Sequence, residues 1–165
     1  PLGVITGQST YGITATDAAA LASWGAFRAA VVRFMTANAA GSPSAVKAMI
    51  RPELWSLLDD TLIDGTAVSE WDRLLKNIPA ANIAMSTNGL AAPSGDPLET
   101  QALLTTAAGG VAPIFVGTWG GVDLIRDPYS DAQSGGLRLT GLVTADVTVG
   151  RPAQLRVLTG IQRAA

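Results

Sequence analysis

The most restrictive feature of the sequence is a long alternation of apolar and polar residues near its carboxyl end. From Leu137 to Val149 every odd position holds Leu, Gly, Val or Ala, and the even positions are mainly polar, with Leu142 as the exception. A period of two places successive side chains on opposite faces of a β-strand. We therefore predict one strand over 137–149 with a buried face and a solvent-exposed face. Since strands usually run about five or six residues, this one is either bulged or part of an extended ribbon.

A second periodic segment predicts a helix in the first quarter of the chain. Thr16 and Asp17 supply an N-cap and a carboxylate in the first turn, where it complements the helix dipole. Apolar residues then recur at spacings of three and four up to Met35, which is the pattern of an amphipathic helix. We expect this helix to run from Asp17 to about Asn38, ahead of a stretch that contains Gly and Pro.

Shorter segments mix helical and extended patterns. Pro52 suits the first turn of a second helix, and segment 70–76 fits a helix or a strand equally well. The remaining predicted strands are 45–50, 82–86, 101–105, 111–116 and 154–159, with 1–16 irregular and 89–96 a surface loop. Because helices and strands do not alternate as in a parallel α/β sheet, the predicted fold class is α+β.

The composition excludes several classes of function. The 165 residues include no His and no Cys, which rules out Ser–His–Asp and Cys–His nucleophile systems, thiolate or imidazole zinc sites and disulfides within this chain. Eleven basic and thirteen acidic residues give a net charge of −2, and no basic run is present that would follow a phosphate backbone. We therefore predict neither an enzyme nor a protein that binds nucleic acid by sequence.

The sequence predicts no membrane span and no signal peptide. Its apolar runs are far shorter than the ~20 residues that cross a bilayer, and no charged region followed by an apolar stretch opens the chain. Because the chain begins with Pro1 rather than Met, we expect a processed product or a piece of something longer. Apolar residues make up 48% and charged residues 15%, against about 25% charged in an average protein. This composition predicts that much of the surface is either buried or covered by a partner.

Candidate chemical groups are few. Gly117–Gly121 lacks the spacing of a phosphate-binding loop, so a turn between two strands is the better interpretation. Two acidic groups could offer oxygen ligands to Ca²⁺ or Mg²⁺, although a solvated helix end and turn explains the first group better. These groups are Asp59, Asp60 and Asp64, and Asp123, Asp127 and Asp131. We predict no catalytic residue, no bound metal and no cofactor.

The four Trp residues have different surroundings. Trp24 lies on the apolar stripe of the first predicted helix and is expected in the core, whereas Trp55 and Trp71 stand beside charged residues. Trp119 lies in the Gly-rich segment, where an exposed aromatic ring is a plausible contact anchor; a ring that covers a sheet edge is an equally good interpretation. Arg126 and Tyr129, chosen for their residue types near a turn, complete the candidate contact residues.

The stretch 114–158 follows the pattern of a known family. In Val116–Trp119 a predicted strand is followed by a glycine and an aromatic residue, and Leu124–Ser130 reads LIRDPYS. After a polar gap, the long strand ends in the D-V-x-V-x-x-P segment Asp146–Pro152. This order resembles the C-terminal region of tailed-bacteriophage major capsid proteins with the Hong Kong 97-like fold. Pro1–Val4, which reads PLGV, is similar to the P-L-G-I segment that follows the spine helix of that family.

The resemblance implies a structural function. Such proteins form pentamers and hexamers that tile an icosahedral shell around double-stranded DNA. The partners would be copies of the same chain, with a scaffolding protein and a maturation protease as further candidates, and no membrane. The location would be the virion, and the bacterial cytoplasm during assembly.

The resemblance also implies a division of the chain. Residues 1–136 would form mostly the mixed α/β axial domain, and 137–165 the long strand and closing strand of the peripheral domain. The N-terminal arm, extended loop and spine helix of the family would precede Pro1, so this chain would be a C-terminal fragment.

Two other functions remain open at this point. A carboxylate-dependent metal-binding or hydrolytic α+β domain would use one of the two acidic groups. A shell protein of an encapsulating nanocompartment would share the fold and differ in its host and cargo.

Overall fold

The structure, a computed structural model that describes residues 2–162, has the predicted α+β architecture. The strands are β1 Thr14–Leu21, β2 Val46–Ile50, β3 Ile83–Met85, β4 Glu99–Thr106, β5 Ile114–Asp127, β6 Arg138–Val149 and β7 Leu155–Gln162. The helices are α1 Trp24–Thr36, α2 Pro52–Asp60 and α3 Glu70–Asn77, and short 3-10 turns join several of the elements.

Five of the strands form one sheet in the order β1-β7-β4-β2-β3. β4 is antiparallel to both β7 and β2, whereas β1 runs parallel to β7 and β3 runs parallel to β2. Four strands therefore point one way and β4 points the other way. We call this sheet, its three helices and the opening segment the body.

Apolar side chains cover both faces of the body sheet. On one face Phe27 of α1 and Leu58 of α2 belong to the same buried cluster as Leu104 of β4. On the other face Ile13 and Val157 belong to a second cluster, against which residues of the opening segment and the first residue of β5 pack. Burial on both faces explains why β4 and β7 carry apolar residues in both registers.

β5 and β6 form a separate two-stranded antiparallel sheet, which we call the ribbon. It leaves the body where β4 ends and returns where β7 begins, and Thr105 pairs with Leu155 at that end of the body sheet. The hydroxyl of Tyr11 lies 2.9 Å from the carbonyl oxygens of both Leu2 and Val147. This contact joins the opening segment to the base of the ribbon. The predicted long strand is thus confirmed, as one strand of an extended ribbon.

The first helix begins later than predicted. Residues 14–21 form β1, and α1 starts at Trp24. Asp17 caps no helix; its carboxylate accepts a hydrogen bond from the backbone N–H of Ala19 at 3.1 Å. The reason lies in the tertiary structure, because pairing with β7 overrides the helix propensity of this Ala-rich segment. The carboxylate of Glu70 accepts a hydrogen bond from the backbone N–H of Trp24 at 2.9 Å, so α3 caps α1.

The predicted turn at Gly117–Gly121 is wrong, because β5 runs through this segment to Asp127. The register between β5 and β6 shifts between Trp119 and Asp123, where three residues of β5 oppose one of β6. Such a bulge lets a strand bend without ending. Gly120 lies in the bulge with φ of +75°, a conformation that favours glycine.

The other predicted elements are confirmed within a few residues. β2, β3, β4 and β7 occupy the predicted strands 45–50, 82–86, 101–105 and 154–159. The helix that starts at Pro52 is α2, and the undecided segment 70–76 is helical as α3. Trp24 is buried in the core as expected. Within residues 2–162 no helix is long and apolar enough to cross a membrane.

The division into an axial unit 1–136 and a peripheral unit 137–165 stays a prediction. Backbone pairing groups the chain in another way, since β7 lies between β1 and β4 in the body sheet while β6 pairs with β5. Pro1 and residues 163–165 lie outside the described residues.

Candidate assembly surface

The two faces of the ribbon differ in polarity. Cross-strand neighbours share a face, so the pairs Val116–Val147 and Leu124–Gly141 place the even residues of β5 with the odd residues of β6. A Cβ added at Gly141 would lie 3.7 Å from Val122, which places Val122 on the same side. We call this side the apolar face. It contains Ile114, Val116, Val122, Leu124, Leu139, Val143, Ala145, Val147 and Val149, together with Thr118 and Arg126.

The apolar face is uncovered along most of its length. Val122 is 70% exposed, Leu124 65% and Leu139 57%, and Val116 and Val143 are equally open to solvent. The prediction of a buried face holds only at the base of β6, where Val149 packs against the second cluster, and is wrong for Leu139 and Val143. Periodicity identified the apolar side correctly, but within residues 2–162 only its base, at Ile114 and Val149, packs against the body. Contiguous exposed apolar side chains of this kind are typical of contact surfaces.

The opposite side, which we call the mixed face, alternates polar and apolar residues. Phe115, Trp119, Ile125 and Leu142 are exposed there. Acidic residues and threonines separate them along both strands, among them Asp146 opposite Gly117. Solvent can therefore wet the mixed face more easily than the apolar face.

The three predicted contact residues do not come together in one site. Trp119 lies on the mixed face beside the bulge, and its ring stacks close to Gly117, where an added Cβ would be 3.2 Å away. Arg126 lies on the apolar face opposite Leu139 near the tip. Tyr129, 86% exposed, stands in the loop that joins the two strands. All three are on the ribbon, and their role in subunit contacts stays a prediction.

The D-P-Y-S motif shapes the tip of the ribbon. One carboxylate oxygen of Asp127 accepts hydrogen bonds from the backbone N–H groups of Tyr129, at 2.8 Å, and Ser130, at 3.1 Å. The hydroxyl of Ser130 donates to the other oxygen. These hydrogen bonds hold the pKa of Asp127 below its ordinary value, and the bond from the Ser130 hydroxyl has the largest effect. Asp127 therefore orders the loop that presents Tyr129.

The acidic groups do not form a cation site in residues 2–162. No three acidic side chains there are close enough together to hold a metal ion. Asp127 is engaged by its own loop, and Asp131 accepts a hydrogen bond from the hydroxyl of Ser134 at 2.7 Å. Asp59 and Asp60 are exposed at the end of α2. Within the described residues, no cluster of three acidic side chains supports the metal-binding alternative.

Comparison with known proteins finds solved structures of the same fold. No protein-family model matches the sequence, and no curated protein matches it. Among solved structures, a virus-like particle from Pyrococcus furiosus superposes with a TM-score of 0.58 and 17% identity over 95% of this chain. A structure from Mycobacterium phage Che8 superposes with a TM-score of 0.57 and 17% identity over 90% of this chain. The mature capsid of bacteriophage PhiM1 superposes with a TM-score of 0.52 and 13% identity over 81% of this chain. The chain shares its fold with these three solved structures.

The resemblance to phage capsid proteins is thereby confirmed at the level of the fold. The chain spans 60% of the Pyrococcus particle protein, 53% of the Che8 protein and 44% of the PhiM1 capsid protein. The exposed apolar face was the feature that sequence reasoning missed. The alternation from Leu137 onward signalled the apolar side, but only the three-dimensional arrangement reveals that it lacks a cover.

Proposed function

We propose that this chain is a structural subunit of a tailed-phage capsid of the Hong Kong 97-like type. It would assemble with copies of itself into pentamers and hexamers around double-stranded DNA. The observation that carries the proposal is the uncovered apolar face of the ribbon, on a fold shared with a virus-like particle and a phage capsid. A lone domain keeps such a surface only at a cost in solubility, whereas a shell subunit buries it against its neighbours.

The energetics favour assembly through many modest contacts. Burying one large aliphatic side chain contributes roughly 1.5–3 kcal/mol, and the apolar face exposes five such side chains in the single chain: Val116, Val122, Leu124, Leu139 and Val143. Each subunit of a closed shell meets several neighbours, so interfaces of ordinary strength combine into a stable particle.

The charge distribution fits the same role. Charged residues make up 15% of the chain, and the net charge is −2. A shell that only encloses DNA does not need the basic groove by which other proteins hold a phosphate backbone. A scaffolding protein, a maturation protease, location in the virion and assembly in the bacterial cytoplasm belong to this proposal.

Particle formation tests the proposal. Particles would be pelleted from cells that produce the intact protein, sized by electron microscopy, and assayed for DNA protected from nuclease. We expect icosahedral particles that contain this chain and protected double-stranded DNA. Particles with a protein cargo and no DNA would favour the nanocompartment alternative. The complete absence of particles would contradict both.

A matched pair of variants tests the role of the apolar face. Leu124→Thr with Val143→Thr makes that face more polar, whereas Ile125→Thr with Leu142→Thr makes comparable changes on the mixed face of the same two strands. We expect the first variant to lower the particle yield at least tenfold and the second to lower it much less. Far-UV circular dichroism controls for folding. Equal yields from both variants would show that the apolar face is not the assembly surface.

A further inference from the structure

The opening segment, residues 2–12, is a compact series of turns. The backbone N–H of Gly7 donates to the carbonyl of Gly3 at 2.7 Å, and that of Tyr11 donates to the carbonyl of Gly7 at 2.9 Å. The side chains of Leu2 and Tyr11 both lie against Gly7, where an added Cβ would be 2.6 Å from Leu2 and 2.8 Å from Tyr11. Because Gly7 is buried and has no side chain, the two ends of the segment can meet over it.

The opening segment lies at the base of the ribbon, where both strands join the body. Tyr11 packs on the same buried cluster as Ile114 at the start of β5 and Val149 at the end of β6. A Cβ added at Gly12 would lie 3.9 Å from Pro152, in the turn that leads from β6 to β7. The segment therefore borders the entry to the ribbon, the exit from it and the turn that follows.

The hydroxyl of Tyr11 reaches the outer edge of β6. In an antiparallel pair, the backbone groups of successive residues point alternately toward the partner strand and away from it. Because Gly150 donates its N–H to the carbonyl of Pro113 at 3.0 Å, this alternation directs the N–H and the carbonyl of Val147 away from β5. The N–H of Val147 accordingly donates to the carboxylate of Asp146 at 2.8 Å. The carbonyl lies 2.9 Å from the Tyr11 hydroxyl in a partly buried contact, so the opening segment holds the free edge of β6.

The same hydroxyl also contacts the other end of the opening segment. It lies 2.9 Å from the carbonyl oxygen of Leu2, in an exposed contact. A phenol has a single proton to donate, so a movement of either carbonyl changes the hydrogen bond to the other. The side chain of Leu2 adds a second constraint, because it shares the space over Gly7 with the Tyr11 ring. The positions of Leu2 and Val147 are thus linked through one side chain.

The ribbon amplifies a small change at this joint. Beyond its base it has no cover within residues 2–162, so the contacts at the base determine its direction. At roughly 3.3 Å per residue, Thr140 lies about 23 Å from Val147 along β6, and a rotation of about 10° at the base would move it by about 4 Å.

We propose that the opening segment is a strap that sets the direction of the ribbon, with the Tyr11 hydroxyl as the joint between them. While Leu2 is in place, the strap holds the outer edge of β6 at Val147. When Leu2 is displaced, the joint loosens and the ribbon moves relative to the body. The strap is a property of the single chain and does not require the capsid function. Since the ribbon carries the apolar face, the strap also determines where that face is presented.

A distance measurement between the ribbon and the body tests the joint. The 165 residues contain no Cys, so spin labels attach within them only at introduced positions, here the exposed sites Thr140→Cys on β6 and Lys76→Cys on α3. Double electron–electron resonance is recorded on labelled intact protein diluted into unlabelled copies. We expect Tyr11→Phe to broaden the distance distribution at least twofold.

Tyr129→Phe is the matched control, because it removes the hydroxyl of the other tyrosine of the chain, which is exposed in the tip loop. It should leave the distribution unchanged. Far-UV circular dichroism and urea denaturation check that both variants fold as the original chain does. Equal widths for the Tyr11→Phe and Tyr129→Phe variants would overturn the proposal.

A double-mutant cycle tests the coupling itself, which a hydrogen bond that merely adds stability would not produce. Leu2→Ala alone should broaden the same distance distribution, because it empties part of the space over Gly7. In the Tyr11→Phe protein it should broaden it little further, since residues that act through one contact are not additive. Leu62→Ala, at an exposed leucine of the body, is the control and should change neither protein. Strictly additive effects would show that Leu2 and Tyr11 act separately, and the strap would be wrong whether or not particles form.

Discussion

The body and the ribbon use similar strand residues in opposite ways. Leu104 in β4 is fully buried, whereas Leu139 in β6 is 57% exposed. Helices lie over one face of the body sheet, and the opening segment lies over the other. Beyond its base, the apolar face of the ribbon has no such cover within residues 2–162. An alternating pattern thus predicts which side of a strand is apolar, and other segments decide whether that side is buried.

The ribbon depends on the body for its order. A two-stranded hairpin is at best marginally stable alone in water, but both ends of this one continue into the body sheet through β4 and β7. The Tyr11 hydroxyl adds a contact at its base. Substitutions in the body should therefore change global stability, whereas substitutions in the ribbon should change local opening and association.

The largest effect should come from a matched pair of leucines. Leu104→Ala removes a fully buried side chain and leaves a cavity, which should lower the free energy of unfolding by about 3 kcal/mol. Leu139→Ala removes an exposed side chain and should cost less than about 0.5 kcal/mol. Urea denaturation followed by circular dichroism measures both. Similar losses would mean that the ribbon is packed in solution and that the contrast with the body is wrong.

The cap between α3 and α1 should give the next effect. Glu70 is buried, accepts a hydrogen bond from the Trp24 backbone and lies 3.5 Å from Arg73. Glu70→Gln removes the charge that favours the positive end of α1, so the free energy of unfolding should fall by about 1–2 kcal/mol. Asp64→Asn in an exposed turn is the control and should leave it unchanged. A result for Glu70→Gln that matches this control would show that the cap contributes nothing to stability.

Local sequence signals predicted much of the body. Pro52 marked the start of α2, and the short apolar runs marked β2 within one residue and β7 within three residues. The start of α1 could not be predicted in the same way, because β1 exists through pairing with β7 at the far end of the chain. No local pattern reports a partner that distant.

The candidate surfaces show the same limit. Alternation in β6 identified the apolar face but not its exposure, which depends on where every other element lies.

The bulge of β5 offers a test confined to the ribbon. Gly120 has a positive φ and open space around it, whereas neighbouring Gly121 has open space without a positive φ. Gly120→Ala should cost about 1 kcal/mol through backbone strain alone. Amide hydrogen exchange should then be roughly fivefold faster in β5 and β6 and unchanged in β4. Gly121→Ala should change neither the stability nor the exchange rates. Equally faster amide exchange throughout the body would show that the ribbon and the body open together.

The smallest effect concerns the pH response of the tip loop. Because hydrogen bonds lower the pKa of Asp127 in the folded chain, they stabilise the loop fully above the ordinary carboxyl pKa. That stabilisation is lost as the pH falls through the lowered, folded-state pKa. The amide NMR signals of Tyr129 and Ser130 should therefore shift at a lower pH than those beside an unperturbed aspartate, while amides of β4 stay constant. Asp127→Asn should remove this titration without altering the body, since the tip touches solvent rather than the core. A midpoint at the ordinary carboxyl value would mean that the loop is not held by Asp127, and Tyr129 would then lack the fixed position that a contact residue needs.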